Sequence, residues 1–515
     1  MGENIKTEIL FPTRIVEASR SIRFAECLLK PRILQVSIPE SEVMIADGRG
    51  HVILDFGREV CGSVRILTEM PSGGERRTKL FQGSNANYLP LRLHRKGRIR
   101  IRIGESVTEA CSELGWNGAC DEHSLRDMST RLVRHSDSIF FNSGFRFVRI
   151  DFKEGGRYRI KNVVAVSSLY EAPQIYAYEG DDGRIKDIFD VAKRTIDLCA
   201  SSGLIWDGIK RDRLVWIGDM FPEVMAMVTL YGRQDIIERS LRFVRDRTPL
   251  GDKLHEDAAG RLDPQSQRRL WMNGIPMYSM WWVIILRYYH DRTKCDDFIM
   301  DNLPYLAELG TLIGRHVDDS GGMHYHRFFV DWPSNASRDK YAGCRAINLK
   351  ACQDAIELYR AFGWDDSVWQ GIRSRLLKVP IEVEKEKQII GLKYWVLGEI
   401  SDKERDLLVD GGAKGMSTFM SYFILNAVSR TSGRETAVNM MKEYYGGMLD
   451  RGATSFWEDF DVEWLRNSGR IDERTRPGQK DLHADFGKYC YKRLRHSLCH
   501  GWSSGVIAFI EEATR

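Results

Sequence analysis

The chain has 515 residues, enough for two or three domains that each bury a substantial core. Hydrophobic residues make up 43% and charged residues 29%, the balance of a globular protein and not of a disordered or collagen-like one. A formal net charge of +4 at this length calls for no polyanionic partner, and no apolar stretch is long enough to span a bilayer, so neither nucleic acid nor membrane is expected to bind.

The N-terminal segment MGENIKTEILFPTRIVEASR has no apolar run of signal-peptide length, which places the chain as written in the cytoplasm. The ten cysteines are scattered and include no Cys-x-x-Cys, so reduced, mostly buried thiols are expected in place of a disulfide framework or a zinc site. HVILDFG, SVRILTEM, GRIRIRIGES, DSIFFNS, FRFVRIDF and IKNVVAVSSL are short and rich in β-branched or aromatic residues. Gly, Asn, Asp and Ser separate them, and this spacing predicts a β-sandwich over residues 1–180. A basic stretch at about 73–98 interrupts it. It lacks the aromatic interleaving of a nucleic-acid surface and reads as an exposed insertion.

After YEGDDGR the period changes. IKDIFDVAKRTIDLCA has Ile185, Ile188, Phe189, Ala192, Ile196 and Leu198 at helical spacing. Further helices are predicted at 219–231, 233–246, 276–291, 298–315, 346–362, 365–378, 402–410, 417–431, 433–449 and about 499–512. Many are paired across a glycine or a short polar turn, so residues 181–515 are expected to form an (α/α)6 six-hairpin toroid that carries the active site at one end.

Three clusters carry chemistry. In DGIKRDRLVWIGD, Asp212, Trp216 and Asp219 stand at i, i+4 and i+7, so a helix would put them on one face, with Asp207 just ahead. Capping alone explains acids at a helix start, but three carboxylates with a tryptophan exceed what a cap needs. In RGATSFWEDF, Glu458 follows Trp457 behind a Gly-Ala-Thr turn, and in SLCHGWSSG, His500 and Trp502 open the last helix. His496 and His500, or His324 and His326, have ligand-like spacing, but no His-Glu-x-x-His is completed, and no metal or other cofactor is expected.

The pattern Asp207-x-x-x-Arg211-Asp212-x-x-x-Trp216-x-Gly-Asp219 resembles the signature of glycoside hydrolase family 78, the α-L-rhamnosidases. Gly452-Ala-Thr-Ser-Phe-Trp457-Glu458 is similar to that family's Gly-Ala-Thr-Thr-x-Trp-Glu segment, and Leu498-Cys-His500-Gly-Trp502 to its closing His motif. Asp331-Trp332 resembles its Gly-Asp-Trp segment. The stretches Leu54–Glu59, Gly104–Ser106 and Ser143–Phe147 resemble the domain before its barrel.

The resemblance implies an inverting glycosidase that releases terminal α-L-rhamnose from an oligosaccharide or glycoside. It implies Asp212 as general acid and Glu458 as general base. Asp207, Arg211, Trp216, Asp219, Trp332, Trp457 and His500 would line the sugar pocket. Asp207, Asp219 and burial against Trp216 would keep the acid protonated. Asp212 departs from the family's usual Glu by one methylene. A silent sugar-binding relative, or a glycosidase for another sugar such as an uronic acid, fits the same residues, with Lys210, Arg211 and Arg213 as spare cations. The sequence is silent on oligomeric state.

Overall fold

The computed structural model describes residues 4–32, 40–69, 97–133, 136–153, 157–250, 268–487 and 492–515. The basic insertion, up to residue 96, lies outside the described residues. The strands are β1 (Ile5–Leu10), β2 (Arg14–Ala18), β3 (Ile22–Arg23), β4 (Met44–Asp47), β5 (Gly50–Thr68), β6 (Gly97–Gly104), β7 (Asp127–Leu132), β8 (Asp137–Phe152) and β9 (Arg157–Tyr170). All pair antiparallel in the order β3-β4-β9-β5-β8-β6-β7, with β1 added to β9 and β2 to β5.

The hydrogen bonding therefore links the described strands into one branched antiparallel sheet, where the sequence predicted two sheets of a sandwich. The difference lies in four predicted strands that fuse in pairs. HVILDFG and the SVRILT of SVRILTEM both fall in β5, and DSIFFNS and FRFVRIDF are both part of β8. The glycines and Asn142 that read as turns sit instead at bulges, with register shifts between Asp55 and Val60 and between Gly62 and Val64. Val52, Leu54, Phe56, Ile99, Ile101, Phe145 and Ile150 form the sheet's apolar core.

The helices are α1 (Val107–Cys111), α2 (Gly183–Cys199), α3 (Ile217–Tyr231), α4 (Asp235–Arg245), α5 (Pro276–Thr293), α6 (Asp296–Arg315), α7 (Lys340–Phe362), α8 (Ser367–Leu376), α9 (Lys387–Leu397), α10 (Asp402–Val409), α11 (Ser421–Thr431), α12 (Arg434–Asp450) and α13 (Val506–Thr514). Most follow the predicted segments. The exceptions are α1, too short to show a helical period, and α9, whose QIIGLKYWVL is mostly buried and so lacks a polar stripe to betray its period.

Helix α3 packs on α5, α5 on α7, α7 on α9, α9 on α11, α11 on α13, and α13 back on α3. Phe221 of α3, Trp281 of α5, Trp395 of α9 and Phe423 of α11 meet at their centre, with ring centroids 4.9–6.2 Å apart. Burying such rings, at roughly 1.5–3 kcal/mol for a large apolar side chain, is what holds the helices together. Among the described residues no helix is long and apolar enough to cross a membrane, and the cysteines are free and mostly buried.

Candidate active site

Residues 207–216 form a closed loop where a helix was predicted. The Asp207 carboxylate accepts the Leu214 amide at 2.9 Å, and the two backbones bond again at 3.1 Å. Asp212 and Arg213 have φ of 49° and 54°, left-handed values that no α-helix contains. The i, i+4, i+7 face therefore does not exist. The helix starts only at Ile217, whose amide is capped by the Asn273 side chain at 3.0 Å. The same residues still converge, because the loop folds back over the start of α3 and leaves Asp219 in its first turn.

The two later motifs lie side by side. The Glu458 amide donates to Ser497 O and the His500 amide to Phe456 O, both at 3.0 Å. The Glu458 carbonyl accepts from Thr418 Oγ1 at 2.6 Å and from Trp502 Nε1 at 2.9 Å. The Gly501 amide donates to Asp207 O at 2.7 Å, which ties this pair of segments to the first loop. Gly501 is required here, since a Cβ would stand 1.8 Å from Glu223 Oε1.

The sheet braces both sides of this assembly. Arg146, held by Asp55 at 2.8 and 3.0 Å, donates to Gly452 O at 2.6 Å, and the Glu59 amide donates to Thr454. Glu105 accepts the Leu498 amide at 2.7 Å and the Ser497 hydroxyl at 3.2 Å. The Lys210 ammonium lies 2.9 Å from Glu105 and 3.1 Å from Glu109, and donates to Leu494 O and His496 O. Burial works against this ammonium, but the two glutamates outweigh it and hold its pKa above the ordinary value. Gly144 lets β8 approach, since a Cβ there would be 2.9 Å from the Lys210 amide nitrogen. The sheet motifs thus act through hydrogen bonds to the loops and do not reach the pocket themselves.

A pocket of about 180 Å³ opens between these segments. It is lined by Asp207, Arg211, Asp212, Trp216, Asp219, Trp332, Glu458 and His500, every pocket residue predicted from sequence except Trp457. Trp457 is 1% exposed and packs edge-on against Phe460 in the core. Its neighbours on either side pair with residues 497–500, so alternation along an extended segment turns Trp457 the other way. Ile275, Tyr278, Arg327, Phe329 and Trp502 complete the lining.

Arg211 is the hub. Its Nη2 pairs with Glu458, its Nη1 with Asp212 at 3.2 Å, and its Nε donates to Arg495 O at 2.7 Å. Asp212 is also 3.4 Å from His123 Nδ1, a contribution from the N-terminal region that no sequence pattern flagged. Asp212 is the least buried of the four carboxylates, its side chain 9% exposed against 2% for Asp207, 5% for Glu458 and 6% for Asp219.

On the floor, Tyr278 donates to Asp219 at 2.8 Å, and His500 Nε2 stands 3.8 Å from Asp207 and 3.9 Å from Asp219. Burial raises the Asp219 pKa to about 8, with Glu458 and Asp212 adding to it, against the Tyr278 hydrogen bond. The start of α3 favours a charged carboxylate, yet desolvation wins. Burial, then Asp219 and Asp212, hold Asp207 well above the carboxylate range. Burial, then Arg211, hold His500 well below the imidazole range.

The ligand atoms of Asp207, Asp219 and His500 lie within 4.8 Å of one another, so geometry alone would admit a cation. Burial favours the protonated form of both carboxyls, so a cation would have to displace their protons, whereas sugar hydroxyls can bond to the carboxyls and the imidazole as they stand. Glu105, Glu109 and His483 form a second such cluster, but Lys210 supplies its positive charge. The other histidines with ligand-like spacing are used elsewhere: His324 bonds Asp318, His326 bonds Gly274 O, and His496 accepts the Asp459 amide.

The raised Asp219 has a measurable consequence. The unfolded chain ionises this group near pH 4, whereas the folded chain retains its proton to about pH 8. Stability tied to the group is complete below the unfolded pKa and falls as pH rises toward 8. Asp219→Asn keeps an oxygen for Tyr278 and cannot ionise. Its Tm is therefore expected to gain on the parent between pH 4 and 8 and then run level. Parallel Tm curves across that range would remove the assignment.

No family model and no curated protein matches the chain. Solved structures do. A rhamnosidase from Klebsiella oxytoca with rhamnose bound aligns with a TM-score of 0.70 at 19% identity, over 99% of this chain and 96% of that one. A glycoside hydrolase family 78 rhamnosidase of Bacillus sp. GL1 aligns at 0.64 and 17%, over 92% and 48%. The α-L-rhamnosidase of Streptomyces avermitilis complexed with L-rhamnose aligns at 0.64 and 13%, over 98% and 43%. The chain spans about half the length of the last two. At these identities the likeness is one of fold. All three of these structural neighbours are rhamnosidases.

Proposed function

We propose that the protein is an inverting glycosidase that releases terminal α-L-rhamnose, with Asp212 as general acid and Glu458 as general base. The observation that carries this reading is convergence. Residues 207–219, 332, 458 and 500 are far apart in sequence, and the eight pocket residues named from them line one cavity on a fold shared with rhamnosidases. In this reading the succession of packed helices is an (α/α)6 toroid over 181–515, the strands of 1–180 form a sandwich-like domain, and the pocket opens at one end of the toroid.

The volume supports removal of a single terminal sugar, since about 180 Å³ is well below the roughly 300–1,000 Å³ of a cleft for larger ligands. Burial supports the division of labour. The acid must meet the leaving oxygen at the boundary between sugar and aglycone, and Asp212 is the least buried carboxylate. The base must activate water on the other face, and Glu458 sits deeper, paired with Arg211. The protonated floor of Asp207 and Asp219 with His500 is suited to sugar hydroxyls, and Trp216 and Trp332 offer apolar walls to the C6 methyl. Lys210 and Arg211 bind buried protein carboxylates, and Arg213, which donates to Asn142 O at 2.9 Å, does not line the pocket, so none of the three is placed for a substrate carboxylate.

The test is a panel of 4-nitrophenyl glycosides given to exhaustively chelated protein, with the product followed by NMR. Cleavage of the α-L-rhamnoside with β-L-rhamnose appearing first is the expected result. Preference for another glycoside, first release of the α-anomer, or activity lost to EDTA and restored by zinc or calcium would each count against the reading.

A further inference from the structure

The pocket changes character from floor to mouth. Asp207, Arg211, Asp219, Glu458, His500 and Trp502 are all buried, whereas Arg327 is exposed. Arg327 lies on the segment between α6 and α7, and its guanidinium stands 5.3 Å from the Phe329 ring centre. Phe329 in turn packs edge-on against Trp332 at 4.9 Å, so the charge rests on the aromatic wall of the mouth.

The other cation lining the pocket, Arg211, is taken up by Glu458 and Asp212. Arg327 makes no ion pair among the described residues. Arg268 lies near His326, outside the lining of the pocket. Burial first, and then the fields of Arg268 and Arg327, lower the pKa of His326 beside them. An arginine held on an aromatic face at the mouth of a pocket, with no carboxylate partner among the described residues, is arranged for an anion that arrives with the ligand.

Resting on the rhamnosidase reading, we propose that Arg327 recognises a negatively charged leaving group, so that the preferred substrates join the terminal sugar to an acidic unit such as an uronic acid. Depth decides between the two places the charge could occupy. The terminal sugar fills the buried floor among Asp207, Asp219 and His500, where the burial that disfavours charge on two carboxyls would equally disfavour a substrate carboxylate. The aglycone leaves past the mouth, where the guanidinium waits. The rim is solvent-exposed, so the attraction is screened by salt over a Debye length of about 8 Å at physiological ionic strength.

The test uses 4-carboxyphenyl and 4-carbamoylphenyl α-L-rhamnosides, which match in size and differ in charge. The ratio of their kcat/KM values is measured for the parent and for Arg327→Met. The parent is expected to favour the carboxylate, and the ratio to fall about tenfold or more in the variant and shrink for the parent as salt is raised. A parent ratio that ignores charge and salt, or one unchanged in Arg327→Met, overturns the proposal.

Binding of both probes, read by quenching of pocket tryptophan fluorescence, separates this from failure of the parent reading. Cleavage of neither probe with Arg327-dependent binding of the carboxylate sinks the rhamnosidase activity and keeps the anion subsite. Binding of neither sinks both. An Arg327-dependent preference for an α-L-hexuronide with a neutral aglycone would place the charge on the terminal sugar and overturn the leaving-group assignment.

Discussion

Glu458→Gln is expected to lower turnover by a factor on the order of 10² to 10⁴ while leaving the fold in place. The backbone at this position is fixed by Ser497, Thr418 and Trp502 through groups that glutamine retains. Removing one partner of a buried ion pair costs roughly 3–5 kcal/mol when the other charge is stranded. Here an amide oxygen still accepts from Arg211, and Arg211 keeps Asp212 and Arg495 O, so the loss of stability stays below that range.

What disappears is the basic oxygen that takes a proton from water. Azide needs no deprotonation. In the variant it can attack the anomeric carbon as the bond to the leaving oxygen breaks and Asp212 protonates that oxygen. The product is a β-L-rhamnosyl azide, inverted relative to the substrate. Turnover above a tenth of the parent value, or an azide product of retained configuration, would show that Glu458 is not the base of an inverting reaction.

The pocket was legible in the sequence because its residues come in short motifs whose chemistry is dense. Asp207, Arg211, Asp212, Trp216 and Asp219 stand within thirteen consecutive residues, and a loop or a helix would have gathered them equally well. The helical face was therefore the wrong reason for a correct grouping. Left-handed φ at Asp212 and Arg213 is imposed by tertiary partners, with Arg213 donating to Asn142 O and its guanidinium lying over Trp206, and no local pattern encodes that. Trp457 failed for a complementary reason. Adjacency to Glu458 was read as sharing its pocket, whereas in an extended segment adjacent side chains point apart.

The residues that went unseen reach the site singly. His123 precedes β7, Tyr278 belongs to the first turn of α5, and Arg327 stands alone between α6 and α7. Each is one ordinary residue in an ordinary segment, and only the packing of distant elements gives it a partner. A tyrosine just after the proline that opens α5 was the one local hint, because a helix start is where loops gather and a pocket can form. The sheet shows the same limit. Its Asp55, Glu59, Glu105 and Arg146 stood out as a pattern, but their role as braces for the pocket loops required the contacts.

Asp212→Asn is expected to separate two kinds of substrate. A natural glycoside has a poor leaving group and needs its oxygen protonated, so its turnover should fall by a factor on the order of 10² to 10⁴. An aryl glycoside with an acidic phenol leaves with little help and should lose less than about tenfold. Asp212→Glu then tests whether the site is built for the shorter acid. Aspartate tolerates left-handed backbone better than most residues, and φ here is 49°. Its carboxylate is held between Arg211 at 3.2 Å and His123 at 3.4 Å. A glutamate must take the less suitable backbone conformation and push its carboxyl past both partners toward the sugar. It should be slower than the parent on the natural glycoside, with Asn142 and Trp206 still holding Arg213 and hence the loop. A markedly faster Asp212→Glu would mean that the pocket still fits the longer acid and that aspartate is a defect in it. Equal losses on both substrates in Asp212→Asn would take the acid role from Asp212 and pass it to Asp219, which burial keeps protonated to about pH 8.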